Sequence, residues 1–501
     1  MPQFDFSEFS RQSPKGIIVN YFVILFRVLK ASWALLLLLL TRDEINWNLI
    51  SMGVGAILVF VLIIAALQFW FFTFKIEGDQ FLVKKGVIKK SNLSIAFERI
   101  QNINFKQNIV QQVINVTQVE IETAGAKTAE VSIKALSREQ AEAMKAFIMS
   151  HQVESNHEAI ETIDQTDSKP IVLLKIALSD LFKVSLTENH LRSLAILLSL
   201  FFSLGYQFEE IAERMELDTK LDTFLQENTT AVLGSIYLIS MIVIFLLIVA
   251  VLVSTVRTFL THFDLKVLIR NKALEISQGL LTKRNFILKK EKVQYIVIST
   301  NPLKRLLGIY NILFRQASSG GSDKTKKQKQ IRIVGSKASQ NEQLKTVLFD
   351  NKEAESLESH WPDKFYIVIM ALRTSLFWAC FNIFLYFNVE IFYVVLINAI
   401  GVPLAVGLIW LKYKKSYFKV DREMLIKSAG QIETHIIYFE FHKLQGLKVR
   451  QSIFQKRRGV VNLVLQTSSG KIQLPYIKED QANHLYNYII YKVETSRKKW
   501  I

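Results

Sequence analysis

The sequence predicts a multi-span α-helical membrane protein in which a hydrophobic helix hairpin and a cytoplasmic β-rich domain alternate three times. Three observations carry this prediction. Half of the 501 residues are apolar and mean hydropathy is +0.23, yet the formal charge is +18. A chain both oily and basic alternates spans with charged segments. Six stretches are apolar and long enough to cross a bilayer, and they fall in three pairs. After each pair, a set of residues recurs at constant spacing, which marks an internal repeat.

The first pair of spans is Ile17–Leu40 and Trp47–Phe74, the second Leu191–Phe208 and Ala231–Val256, the third Phe365–Phe387 and Val389–Leu411. Arg27 and Lys30 interrupt the first span, so 17–30 reads as an amphipathic lead-in near the headgroups, its long basic side chains snorkelling. Arg373 sits near the cytoplasmic end of the fifth span and reads the same way. Lone polar residues within spans, Asn20, Gln68, Asn382 and Asn398, read as groups that hold helices together.

Loop charge sets the orientation. The loop Gln207–Thr230 holds seven acidic residues against Arg214 and Lys220, whereas the segments following each pair are rich in lysine. Basic loops near spans stay in the cytoplasm. Both termini and all three β-rich domains are therefore expected inside, and loop 207–230 outside. The single cysteine, Cys380, lies in an apolar run, which excludes intrachain disulfides and cysteine-based zinc sites.

The repeat runs as follows. Gly86, Gly279 and Gly430 follow the three pairs, and fifteen residues later stand Gln101, Gln294 and Gln445. The triplets ending in these glutamines are Arg99-Ile100-Gln101, Lys292-Val293-Gln294 and Lys443-Leu444-Gln445. Twenty-two residues past each glutamine come Thr123, Gln316 and Thr467. Within each unit, Phe81-Leu82-Val83, Gly86-Val87-Ile88 and Val119–Thr123 read as short strands between turn residues. A helix closes each unit: Ser137–His151, opened by a Ser137/Gln140 capping box, then Ser339–Phe349 and Glu479–Val493. About seven strands and a terminal helix suggest a small barrel plugged by that helix. The chain then divides into an N-terminal tail with the first hairpin (1–74), a β domain (75–152), a juxtamembrane linker (153–188), the second hairpin with its external loop (189–257), a second β domain (258–350), a linker (351–363), the third hairpin (364–411), a third β domain (412–496) and a basic tail (497–501).

A hairpin, then Gly86, Arg99-Ile100-Gln101, Gln107 and Thr123-Ala124-Gly125 resembles the bacterial pleckstrin-homology-like (PH-like) membrane family of the YdbS/YdbT type. The second unit departs at Lys292 and Gln316-Ala317-Ser318; the third keeps Lys443-Leu444-Gln445 and Thr467-Ser468-Ser469. The resemblance covers almost the whole chain and corresponds to the three-unit member. It implies three PH-like barrels, a place in the bacterial cytoplasmic membrane and a smaller one-unit relative as partner. It implies no defined activity.

No active-site pattern stands out. The eight histidines show no metal-ligand spacing, no Gly-x-Ser-x-Gly elbow occurs, and Ser318–Ser322 lacks the spacing of a phosphate loop. No catalytic, cofactor-binding or metal-binding residue is expected. The recurring Arg/Lys-x-Gln triplet reads as a fold-supporting motif, since one ligand site need not appear three times. The excess of Lys and Arg is largest in the second unit, smaller in the third and smallest in the first. That excess fits contact with an anionic leaflet, and equally fits topology bias alone. The candidate contact is the loop bearing Lys324, Lys326, Lys327 and Lys329. Nucleic acid is not expected as a partner, because no aromatics interleave with the lysines. The function expected is a non-enzymatic membrane scaffold contacting proteins or lipid headgroups. The alternatives are a component of an export, transport or antimicrobial-peptide resistance system, and an enzyme acting at the membrane.

Overall fold

The computed structural model describes residues 6–40, 47–123, 130–154, 171–188, 190–203, 231–270, 273–316, 331–349 and 357–496. The external loop 207–230, the basic tail 497–501 and Lys324, Lys326, Lys327 and Lys329 lie outside the described residues.

Four helices are long and apolar enough to cross a membrane among the described residues: Ile50–Trp70, Ser240–His262, Phe365–Asn388 and Ile391–Lys415. Ahead of the first of these stands the helix Gly16–Leu40, and ahead of the second the described helix Leu191–Ser203. Residues 17–30, read as a lead-in near the headgroups, are not separated from the rest of the span by a break. They are the first half of one continuous helix, and Ile24 packs on Val61 and Ala65 of the next. The lone polar residues do tie helices. Lys134 Nζ donates to Asn20 Oδ1 (2.8 Å) and Gln68 Oε1 (3.4 Å). In the third pair, Trp378 Nε1 donates to Asn398 Oδ1 (2.7 Å), and Asn398 Nδ2 donates to Asn382 Oδ1.

Every unit has the same strand plan: a three-stranded antiparallel meander, a one-turn 3-10 helix, a second three-stranded meander and a helix. In the first unit the strands are Thr73–Glu77, Gln80–Lys85 and Ser91–Ala96, then Ile100–Asn108, Thr117–Thr123 and Val131–Leu136. In the second they are Lys266–Arg270, Ala273–Gln278 and Thr282–Lys289, then Val293–Thr300, Tyr310–Gln316 and Ile331–Ser336. In the third they are Phe418–Val420, Met424–Gly430 and Thr434–Glu440, then Gly446–Arg450, Val460–Thr467 and Gly470–Lys478. The helices Arg138–Glu154, Ala338–Phe349 and Glu479–Thr495 follow. The first carries the capping box read from sequence: Gln140 N–H donates to Ser137 Oγ, and Ser137 N–H to Gln140 Oε1. Each helix buries residues with its own strands, for example Met144 and Ile148 in the first unit and Ile489 in the third.

Three readings need correction. Gly86-Val87-Ile88 is a turn between strands, and Ile88 is 99% exposed. The β-branched pair passed for a strand because alternation cannot be scored over three residues. The segment 153–188 is not only a linker. Its strand Ile171–Lys175 pairs with Lys266–Ile269, and its helix Leu178–Thr187 sends Leu181 and Val184 into the second core. The same device recurs ahead of the other two pairs. Ser10–Arg11 pairs with Thr73–Phe74, and His360, within the supposed linker 351–363, bridges to Phe418. Each helix pair is therefore inserted between the first and second strands of its own unit. The apolar helices dominate the sequence signal and hide the short strand before them.

The units are joined through their sheets. The second meander of the first unit and the first meander of the second unit share one seven-stranded sheet, through Ile100–Asn108 and Thr282–Lys289. A six-stranded sheet joins the second and third units in the same way, through Val293–Thr300 and Thr434–Glu440. Strands at the second joint are buried on both faces. Ile296 and Ile298 belong to the second core and Tyr295 to the third; Met424 and Ile426 belong to the second and Leu425 to the third. Two-sided burial explains why Tyr295-Ile296-Val297-Ile298 runs apolar on both faces where an edge strand would alternate.

Candidate functional site

The repeated residues mark one structural corner. Gly86, Gly279 and Gly430 have φ of 110°, 107° and 132°, and a Cβ on any of them would strike the backbone carbonyl of Lys89, Thr282 or Glu433. Only glycine fits such a turn. Arg99, Lys292 and Lys443 end the 3-10 turns between the two meanders. Burial, with help from Lys289, pushes the Lys292 amine down to about 8. Lys443 is buried against Glu440 at 2.8 Å. The glutamines are bulge residues: the ladder passes from Ile100 to Asn102 and from Val293 to Tyr295, skipping Gln101 and Gln294. Gln445 N–H bonds to Gln466 O (2.9 Å), the residue that Gly446 also faces. A bulge bends its strand, and here the chain leaves one sheet for the other. Thr123 and Gln316 lie opposite Ile100 and Val293, which accounts for the twenty-two-residue spacing. Thr467 Oγ1 donates to Gly470 O (2.9 Å) in the turn of its own hairpin. These residues do not converge on a ligand.

A cleft of about 440 Å³ opens elsewhere, where the third helix pair meets the third unit. Arg373 and Lys412 reach it from the two helices and Lys427 from strand Met424–Gly430. No acidic residue lines it among the described residues. Ile369, Met370, Ile409 and Leu474 supply an apolar side, and Tyr366, Tyr417 and Tyr476 a polar-tipped rim.

Lys427 breaks the repeat. It lies opposite Phe418 and Ile437, as Val83 lies opposite Phe74 and Leu93, and Ile276 opposite Val267 and Phe286. Val83 and Ile276 are core residues, 1% and 0% exposed. The third unit thus places a lysine, half-buried, at the position that holds a core residue in the other two, and desolvation pushes its amine down to about 8. Beside it, Ser428 is 1% exposed and its hydroxyl has no hydrogen-bond partner among the described residues. Leaving such a group unpaired costs about 1–3 kcal/mol. Tyr476 adds a strained backbone, with φ of 53°, held by its N–H to Asn462 Oδ1 (3.0 Å) and its carbonyl to Asp363 N–H (2.7 Å). A bulky residue in that region is rare, and such strain gathers at functional sites.

Chemically, the cleft is a receptor for an anion. Two ammonium groups and one guanidinium line it, and no carboxylate competes among the described residues. Sequence reasoning missed it. The signal was present in the repeat alignment, where Lys427, three residues before Gly430, replaces Val83 and Ile276. Reading it needed the knowledge that this position points inward. Among the described residues, no three His, Cys, Asp or Glu side chains are grouped to share a metal ion.

Comparison with known proteins agrees with the repeat. The family described as bacterial PH domain matches three times, over residues 22–152, 221–360 and 371–493. Two of the three matches begin inside the first helix of a pair, so the helices belong to the family unit. The chain is 24% identical over 424 residues to the UPF0699 transmembrane protein YdbT of Bacillus subtilis (strain 168), covering 81% of this chain and 82% of that protein. With three matches spread over most of its length, each on a double meander and at least one helix of the pair ahead of it, the chain is a YdbT-like membrane protein that belongs to the bacterial PH domain family.

Proposed function

We propose that the chain is a non-enzymatic scaffold of the bacterial cytoplasmic membrane, whose third unit holds the phosphate of an anionic lipid headgroup in the cleft. In this reading six helices in three hairpins anchor three PH-like barrels, each plugged by its terminal helix, at the cytoplasmic face. Both termini lie inside, and a smaller one-unit member of the family binds alongside.

Lys427 carries the reading. A lysine at a core position with no acid in the cleft is expensive unless an anion joins it. The cleft also sits at the end of two membrane helices, where a headgroup is within reach of Arg373 and Lys412. Arginine and lysine together suit a phosphate, one as a planar fork and one as a point charge. The apolar side fits the upper acyl chain.

The test is to purify the protein from native membranes in mild detergent and identify retained lipids by mass spectrometry. Wild type is expected to retain an anionic phospholipid. Lys427→Ile, which restores the residue of the second unit, is expected to lose it while remaining folded. Refilling with lipid vesicles or with inorganic phosphate separates a headgroup site from a phosphate site. Equal anionic lipid in wild type and Lys427→Ile would sink the proposal.

A further inference from the structure

The three units are joined twice by the same pairing, and among the described residues each half of that pairing is left unused once. At each joint the third strand of one unit's first meander lies antiparallel to the first strand of the preceding unit's second meander. The register is the same at both. The residue six past the repeat glycine faces the residue four past the preceding repeat glutamine: Asn285 faces Phe105, and Ile436 faces Ile298. A shared register across two joints with different side chains shows that the backbone and its turns set the contact.

At the two ends of the chain, the equivalent strands pair on one side only among the described residues. Ser91–Ala96 closes one edge of the four-stranded sheet, and Gly446–Arg450 one edge of the three-stranded sheet. We propose that a second copy of this chain completes the pattern. Strand Gly446–Arg450 of one copy pairs with strand Ser91–Ala96 of the next, in the register of the internal joints. Val449 then faces Asn92, and Leu447 faces Ser94. This inference is independent of the cleft.

The chemistry of the edges permits the contact. An exposed edge offers a row of unpaired N–H and C=O groups, a template for a matching strand. Ser91–Ala96 carries no charge. In the stated register Lys448 faces Leu93 and Arg450 faces Ser91, so no like charges oppose each other. The joint between the first and second units is harsher, with Arg284 directly opposite Lys106, and yet it forms. An extensive apolar surface is not required either, since that joint also pairs Thr282 with Asn108 and Lys283 with Gln107. Because the contact joins two different surfaces, it propagates from copy to copy. Such head-to-tail contacts give rings when the rotation closes and open chains when it does not.

The test uses the full chain in its membrane, with Cys380→Ser as background. One tagged version carries Asn92→Cys and a differently tagged version carries Val449→Cys. Paired residues in an antiparallel ladder lie about 4.5–5.5 Å apart at Cα, within the reach of a disulfide. Mild oxidation with copper–phenanthroline is expected to link the two tags. A chain carrying both cysteines is expected to give a ladder of multimers. Lys448→Cys in place of Val449→Cys shifts the side chain to the other face and is expected to lose the product. Lys106→Cys with Arg284→Cys, at the internal joint, reports that oxidation worked. Two outcomes overturn the proposal: intermolecular product no greater than in the shifted control, or capture of a different protein by these cysteines in place of a second copy.

Discussion

Lys427 shows how one side chain can convert a core position into a receptor. In the first two units the same inward position holds Val83 and Ile276. In the third it holds an amine whose proton is loosened by burial alone, to about 8. The ordinary value for lysine is 10.5. Without an anion, the folded chain binds this proton less firmly than the unfolded chain, so stability rises as pH climbs through about 8 toward 10.5. Anion binding has the opposite slope, because it needs the charged amine. Affinity for vesicles containing phosphatidylglycerol is therefore expected to fall between pH 7 and pH 9. In Lys427→Arg the step should vanish, since the guanidinium stays charged. Binding isotherms across that range decide it, and a pH step that survives in the arginine variant would place the titration elsewhere.

At the scale of the element, the segment ahead of each helix pair holds the unit to its membrane anchor. The second unit does so with a partly buried ionic clamp. Glu188, just past the helix Leu178–Thr187, accepts from Lys304 Nζ (2.9 Å), Arg332 Nη2 (2.8 Å) and Asn311 Nδ2 (3.4 Å). Burial opposes ionisation of this carboxyl, but Arg332 and Lys304 outweigh it and hold the group below the usual carboxylate range. The Lys304 side chain is only 3% exposed. Glu188→Gln should take the carboxylate charge away from both cations and destabilise the unit, read as a lowered thermal midpoint in detergent. The sign of the pH dependence follows. The clamp is fully present above the unfolded carboxyl value of 4.5 and is lost as pH falls through the lower folded one. Wild type and variant should thus converge in strong acid. A variant as stable as wild type at pH 7 would show that the clamp contributes nothing net.

At the scale of the whole molecule, the three units are not beads on a string. Leu174, Leu181 and Val184 from before the second helix pair, and Met424, Ile426 and Tyr438 from the third unit, complete the second core. A fragment of residues 265–350 lacks all six. It should expose Leu274, Ile296 and Ile298 and show no cooperative thermal transition by circular dichroism. The full chain should melt cooperatively. A sharp transition in the fragment would mean that the second core is self-sufficient. Shared cores also explain the low residue identity of the repeats. The strands at the second joint face two cores, and the outermost ones, Ser91–Ala96 and Gly446–Arg450, face one, so equivalent positions carry different demands.

The sequence by itself determined the membrane character, the threefold repeat and the corner that the repeat marks. Those features are local: apolar length decides a span, a positive φ demands Gly86, Gly279 and Gly430, and a bulge sets the distance from Gln101 to Thr123. Only the tertiary structure decided where the units begin, how they join and where an anion can bind. The strand Ile171–Lys175 meets its partner across a whole helix pair, the joints pair strands far apart in sequence, and the cleft gathers Arg373, Lys412 and Lys427 from three elements. Long-range backbone pairing leaves no periodic trace in the chain. A half-buried lysine looks like any other until its neighbours are known.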